Sequence, residues 1–255
     1  MFVIAVVSAK GGVGKTTISA NLGAGIAQTG RPTLIIDLDP QNAMQWHLGG
    51  LSQNDCKGIS SLIDSHRGLA EVTHPSPFGV NFTPYGNGGE AVRINFEATL
   101  ERQKDWLINQ LRSAKLHPDT VVILDTPPGP SVYLRQAVRA ANFLLVVMLA
   151  DAGSYSTLPE MEELISSYSR SAKKRIGSAY IINQAAKRQL AQDVIALFSN
   201  RLGNRLVPYA IPESPEVEEA LAFERPILAY KPSNAAAENL QAIAKWILTG
   251  LKGKA

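Results

Sequence analysis

Short, wholly apolar runs recur along the chain and alternate with longer stretches whose apolar positions return every three or four residues. The runs at Phe2–Ser8, Thr33–Asp37, Thr120–Asp125, Asn142–Leu149, Ser178–Ile182 and Arg205–Ala210 predict strands buried on both faces. The periodic stretches at Thr16–Gln28, Ile94–Ser113, Ser131–Ala141, Thr157–Ser169, Lys187–Asn200, Pro215–Ala222 and Ala235–Leu248 predict helices. Such alternation is the signature of βαβ units, so the expected fold is α/β: a mostly parallel, twisted sheet with helices on both faces. Ligands of such sheets sit beyond the carboxyl ends of the strands. Residues 49–92 break the rhythm with a short helical Ile59–Ser65, Pro75, Pro77, a strand at Val80–Tyr85 and then Gly86-Asn87-Gly88-Gly89. They read as an irregular excursion within one domain spanning residues 1–255.

Composition narrows the class. At 45% hydrophobic and 18% charged residues the chain can fill a core and is too apolar for disorder. Its one cysteine, Cys56, can close no internal disulfide and hold no thiolate cluster alone, which points to a reducing compartment, the cytoplasm. The apolar start, Met1–Val7, has no basic flank and meets charge at Lys10, so neither a signal peptide nor a membrane span is expected there.

Directly after the first strand comes Ala9-Lys10-Gly11-Gly12-Val13-Gly14-Lys15-Thr16-Thr17, followed at once by a helix. A strand–loop–helix turn aims backbone N–H groups and the positive helix end at one point, and glycines let the chain curl round an anion there. Phosphate is the natural occupant. Lys15 is then expected to bridge β- and γ-phosphates as a point charge, and the Thr16 hydroxyl to meet Mg²⁺ beside phosphate oxygens. The strict P-loop pattern fails, because Ala9 stands where a glycine is asked for. A second lysine, Lys10, opens the turn instead.

Two lysines on one phosphate loop resemble the deviant Walker A loop of the ParA/MinD/Soj ATPases, which are P-loop NTPases. The resemblance implies that Lys10 reaches across an ATP-dependent homodimer to the partner's nucleotide. Thr33-Leu34-Ile35-Ile36-Asp37-Leu38-Asp39-Pro40-Gln41 is similar to the family's second motif, and carboxylates at i and i+2 near a strand end project on one side. Asp39 is expected to orient or deprotonate the attacking water, with Asp37 in the outer shell of the metal. Val121-Val122-Ile123-Leu124-Asp125-Thr126-Pro127-Pro128-Gly129 reads as Walker B, with Asp125 holding the Mg²⁺ hydration shell and the stiff turn sensing the γ-phosphate. The resemblance also places Asn183 against the adenine and Pro212-Glu213 along the base pocket, and ATP contacts along Gly11–Thr17.

Within that superfamily, paired interface cysteines and a tyrosine-rich tail are both missing, which separates the chain from nitrogenase iron proteins and tyrosine autokinases. Lys10 separates it from amidoligases. The stretches SPFGVNFTPYG (76–86), DTPPGPSVYLRQA (125–137) and ADAGSYSTLPEME (150–162) are similar to the cellulose-operon branch, the BcsQ (YhjQ) proteins. That resemblance implies a slow cytoplasmic ATPase that assists assembly, localisation or regulation of the inner-membrane cellulose synthase, with other operon-encoded subunits as partners.

Charge and amphipathicity leave two further surfaces open. The net charge is +3, yet residues 170–205 carry eight Lys/Arg against the single acid Asp193. This lobe is either a non-specific DNA-binding face, as a partition ATPase needs, or a solvated basic surface. No helix-turn-helix precedes the first strand, so operator-type recognition is not expected. Near the end, Leu240, Ile243, Ala244, Ile247, Leu248 and Leu251 form a stripe beside Trp246, Lys252 and Lys254. It either lies on lipid, peripheral to the inner membrane, or packs the last helix on the sheet and leaves a short basic tail at 249–255.

Overall fold

The computed structural model describes residues 1–51, 57–63, 67–173 and 176–252, with residues 251 and 252 described by backbone alone. In chain order the elements are β1 (Phe2–Val7), α1 (Lys15–Ala27), β2 (Thr33–Asp37), α2 (Met44–His47), β3 (His74–Pro75), β4 (Asn81–Thr83), α3 (Gly89–Arg102), α4 (Trp106–Ser113) and β5 (Val121–Asp125). There follow α5 (Val132–Ala140), β6 (Phe143–Leu149), α6 (Ala152–Ser156), α7 (Leu158–Ser171), β7 (Gly177–Asn183), α8 (Gln189–Leu202), α9 (Pro215–Ala222), α10 (Ile227–Tyr230) and α11 (Ala235–Lys252). The strands form one sheet in the order β3-β4-β2-β5-β1-β6-β7, parallel except for the short antiparallel edge strand β3.

Both sheet faces are covered, which is why the strands read as unbroken apolar runs. Alternate residues of β1 feed two separate cores. Ile4 and Val6 pack with Ile18, Leu22, Leu240 and Ile243 on the side of α1 and α11, whereas Val3, Ala5 and Val7 pack with Phe96, Leu107, Leu134 and Phe198 on the other. Gly25 lets α1 approach α11, since a Cβ there would lie 3.1 Å from that of Ala244. The irregular stretch 49–92 contributes two strands to this sheet, β4 beside β2 and β3 outside it.

Two expectations need correction. The helix expected over Ile94–Ser113 is two helices, broken at 103–105. The break turns Trp106 into the core, edge-on to Phe96 at 5.2 Å between ring centres. The buried amide of Gln136 receives the ends left open: Nε2 donates to Leu100 O and Gln103 O at 2.9 and 2.8 Å, and Oε1 accepts from Leu107 N at 3.1 Å. Tertiary packing overrides helix propensity here. Second, Arg205–Ala210 forms no strand. A 3₁₀ turn occupies Gly203–Arg205, and beyond it only isolated bonds reach β7, from Val207 N to Tyr180 O and from Ile211 N to Ile182 O. Pro208, with no N–H, cannot complete a ladder. Of the two readings of the α11 stripe, the packed one holds: Leu240, Ile243, Ala244 and Ile247 are buried against α1. No helix among the described residues is long and apolar enough to cross a membrane.

The short helix foreseen at Ile59–Ser65 is a 3₁₀ turn over Ile59–Ile63. Its last two residues, with Cys56, Lys174, Arg175 and Lys254, lie outside the described residues.

Candidate nucleotide-binding site

The loops after β1, β2 and β5 lie side by side because their strands are neighbours at the sheet centre. Gly12 and Gly14 take φ of +73° and +85°, the left-handed region in which a side chain is strained, so the turn into α1 needs glycine. Gly14 O accepts from Ile18 N at 2.9 Å, and the helix begins at Lys15.

Lys15 is buried, and its ammonium donates to Ser8 Oγ at 2.9 Å. The Ser8 hydroxyl in turn donates to Lys10 O at 2.6 Å, so one buried hydroxyl ties the inner lysine to the backbone of the outer one. Burial lowers the Lys15 pKa, against the opposing fields of Asp125 and Asp39. Asp125 is fully buried and accepts from Thr16 Oγ1 at 2.7 Å and Ser19 Oγ at 2.9 Å. Burial nevertheless pushes its carboxyl up to about 6, the two hydroxyls and Lys15 pulling the other way.

Asp37 sits directly opposite Asp125 in the β2–β5 register, also fully buried. Burial first, and the facing Asp125 second, raise its pKa well above the usual carboxylate range. Its oxygens accept from Asp39 N at 2.9 Å and Met44 N at 3.1 Å, so Asp37 pins both ends of the loop that carries Asp39. Asp39 is partly exposed, and its Oδ1 accepts from Gln41 N at 3.0 Å.

The oxygen donors fit a hard divalent cation. Among the described residues no three His, Cys, Asp or Glu cluster, so Thr16 and Asp125 would hold Mg²⁺ with Asp37 behind them, phosphate and water completing the shell. Two buried carboxylates with raised pKa values are also what a cation would stabilise in their charged form. When bound, Mg²⁺ supplies charge neutralisation at the phosphates.

Asn183, at the end of β7, donates from Nδ2 to Val13 O at 2.8 Å and thereby braces the phosphate loop. A Cβ on Gly14 would collide with that amide. Pro212 bridges Ala185 just beyond, and Glu213 N donates to Ala185 O at 3.4 Å, so the 212–213 loop is held beside the Asn183 end of β7. Lys10 is placed apart from Lys15: its ammonium lies against Gly153 of α6.

Ser8, Ser19 and Asn42 escaped the sequence reading. Ser19 could have been found as the residue one turn beyond Thr16 on the same face of α1, and Ser8 as the polar end of a buried strand. Asn42, at φ +53°, links the Asp39 loop to the 86–87 turn, accepting from Gly86 N at 3.2 Å and donating to Asn87 Oδ1 at 3.0 Å.

The basic lobe also differs from its sequence count. Glu162 of α7 holds Arg201 at 3.0 Å and Arg205 at 2.8 Å, and Glu163 holds Arg170 at 3.0 Å. Carboxylates just outside 170–205 in sequence fold onto its arginines, so it is not an uninterrupted cationic face.

A double-lysine phosphate loop on this sheet, with paired carboxylates after β2 and a third after β5, defines a P-loop ATPase of the ParA/MinD type. Comparison with known proteins agrees: the chain is 28% identical over 259 residues to the chromosome partitioning protein ParA of Caulobacter vibrioides, covering 97% of this chain and 94% of that one. The model for the cellulose biosynthesis protein BcsQ matches residues 1–248, and the chain belongs to that family. Its fold is shared by cobyrinic acid a,c-diamide synthase of Mycobacterium smegmatis, solved with an ATP analogue and magnesium, at 19% identity and a TM-score of 0.82, over 100% of this chain and 97% of that one. An aspartate-to-alanine variant of Cyanothece McdA, solved with ATP, superposes with a TM-score of 0.83 at 19% identity, over 98% of this chain and 96% of that one.

Proposed function

We propose that this chain is a single-domain Mg·ATP-dependent switch that dimerises to serve the bacterial cellulose synthase, acting in the cytoplasm, peripheral to the inner membrane. The observation that carries the reading is the family match over residues 1–248, joined to a loop that bears both Lys10 and Lys15. Mg·ATP is bound by the 11–17 backbone, Lys15, Thr16 and Asp125, with the base against Asn183 and the Pro212-Glu213 loop. Two subunits close over two nucleotides, each Lys10 reaching the other's phosphates. Asp39 orients the attacking water, hydrolysis is slow, and the dimer parts afterwards. Asp37 serves by fixing the Asp39 loop. The partners are the synthase subunits encoded beside it.

Sedimentation with a nonhydrolysable ATP analogue tests the switch: the wild type dimerises, and Lys10→Ala weakens the dimer while binding nucleotide with unchanged affinity. A Lys10→Ala dimer as tight as the wild type would remove the trans role.

A partition ATPase is the second reading, favoured by the name of the Caulobacter relative. It needs ATP-dependent DNA retention with steep salt dependence. The engagement of Arg170, Arg201 and Arg205 by Glu162 and Glu163 leaves fewer charges for phosphates. Capture by the ATP-locked protein separates the two: synthase subunits support the first reading, and DNA retained only with ATP supports the second.

A further inference from the structure

The carboxylate of Asp39 is aimed by a closed turn. Asn42 N donates to Asp39 O at 2.9 Å, and Gln41 N donates to Asp39 Oδ1 at 3.0 Å, so the side chain is tied to the turn's own backbone. Its direction therefore depends on what holds the far corner of that turn, which is Asn42. This residue is buried at a left-handed φ of +53°, a conformation asparagine tolerates better than most side chains. Its amide bonds both ways into the segment after β4: Oδ1 accepts from Gly86 N at 3.2 Å, and Nδ2 donates to Asn87 Oδ1 at 3.0 Å.

That segment is itself braced. Ile59 N donates to Pro84 O at 2.9 Å, and Ser60 donates to Tyr85 O from both N and Oγ, at 3.1 and 2.8 Å. A Cβ on Gly58 would collide with the backbone of residues 84–86, so the two chains lie in direct backbone contact. The Tyr85 hydroxyl stands 2.8 Å from that of Tyr133, in the first turn of α5. We propose that Asn42 is a positioning residue for hydrolysis: its amide fastens the Asp39 turn to the braced 84–87 strap and so sets the direction of the Asp39 carboxylate toward the attacking water. The proposal rests on the water-orienting role given to Asp39 above. It gives the irregular stretch 49–92 a task in the reaction, as the abutment against which that turn is set. Other bonds hold the phosphate loop, from Lys15 to Ser8 and from Thr16 to Asp125, so nucleotide affinity does not depend on Asn42.

Single-turnover hydrolysis by the full-length protein, read beside its affinity for a nonhydrolysable ATP analogue, tests this. Asn42→Gly keeps the left-handed backbone without strain and deletes the amide; it should slow hydrolysis by about 10- to 100-fold, the cost of misplacing a reacting group by about 1 Å, with affinity unchanged. Asn87 is exposed, so Asn87→Ala spares the fold; it should slow hydrolysis by about three- to tenfold, since Gly86 N still holds Asn42. Asn87→Asp keeps the acceptor and should restore the rate. In an Asp39→Ala background, Asn42→Gly should have no further effect, because the group it aims is gone. Wild-type rates in Asn42→Gly and Asn87→Ala, with Asp39→Ala slow, overturn the proposal alone. So does a loss of nucleotide affinity that matches the loss of rate, or a further slowing in the Asp39→Ala background, either of which marks a merely structural role. Asp39→Ala hydrolysing like wild type removes the reading of Asp39 itself, and the proposal with it.

Discussion

Asp39→Ala is expected to lower ATP hydrolysis by about 10²- to 10⁴-fold, the range for removing a positioned general base, while leaving the fold intact and the ATP-bound dimer persistent. The separation of effects follows from how the loop is held. Asp37, not Asp39, anchors the segment, through the N–H groups of Asp39 and Met44, and a backbone N–H survives replacement of its side chain by alanine. Among the described residues, the bond lost with the carboxylate is the one from Gln41 N, on the exposed side. Removing the charge also removes a repulsion from the neighbourhood of Asp37 and Asp125, both of which feel it. Affinity for the tetra-anionic nucleotide should therefore hold or rise. Single-turnover hydrolysis and light scattering with ATP check the two halves: a slow step with a long-lived dimer is expected. Hydrolysis at the wild-type rate would move water activation off this carboxylate.

What made that site legible is that phosphate chemistry is written in consecutive residues. Gly11–Thr17 is local in sequence, and so is each carboxylate at the end of an apolar run; the topology then brings the three loops together because their strands adjoin. Burial on both faces made β1, β2, β5, β6 and β7 readable for the same reason. The information that escaped was non-local. Nothing near residue 103 announces a helix break, since the stabilising amide belongs to Gln136, more than thirty residues on. The basic lobe looked open because Glu162 and Glu163 fall just outside the window in which its charges were counted. The apolar stripe of α11 had the pattern of a helix packed on the sheet and also of one on lipid; the close approach permitted by Gly25 and Ala244 seats it on α1. The 205–210 run has strand composition, but Pro208 and the Gly203–Arg205 turn leave it a companion to β7 and not a member of the sheet.

The second large effect joins stability to function at Asp125. Its carboxyl has a pKa of about 6 in the folded protein against an ordinary 3.8, chiefly because it is buried. The folded state thus binds more protons than the unfolded state between those values, and stability falls as pH rises through that window. The contribution is whole below about pH 4 and lost above about pH 6, and is on the order of 3 kcal/mol. Asp37, shifted in the same direction by burial and by Asp125 itself, adds to the trend. Asp125→Asn removes the buried charge and keeps an acceptor for Thr16 or Ser19. Urea unfolding should find the variant more stable than wild type by about 1–3 kcal/mol at pH 8, with the gap closing toward pH 4. The same variant should lose the Mg²⁺-dependent part of nucleotide affinity. Adding Mg²⁺ to protein already holding an ATP analogue should then stabilise wild type but not the variant, because a ligand that binds only the folded state shifts the equilibrium toward it. A variant less stable than wild type at pH 8 would mean that the hydroxyls of Thr16 and Ser19 compensate the charge already. Asp125 would then be held at no cost and its pKa in the folded protein would not be raised, since by linkage a raised value is itself that cost.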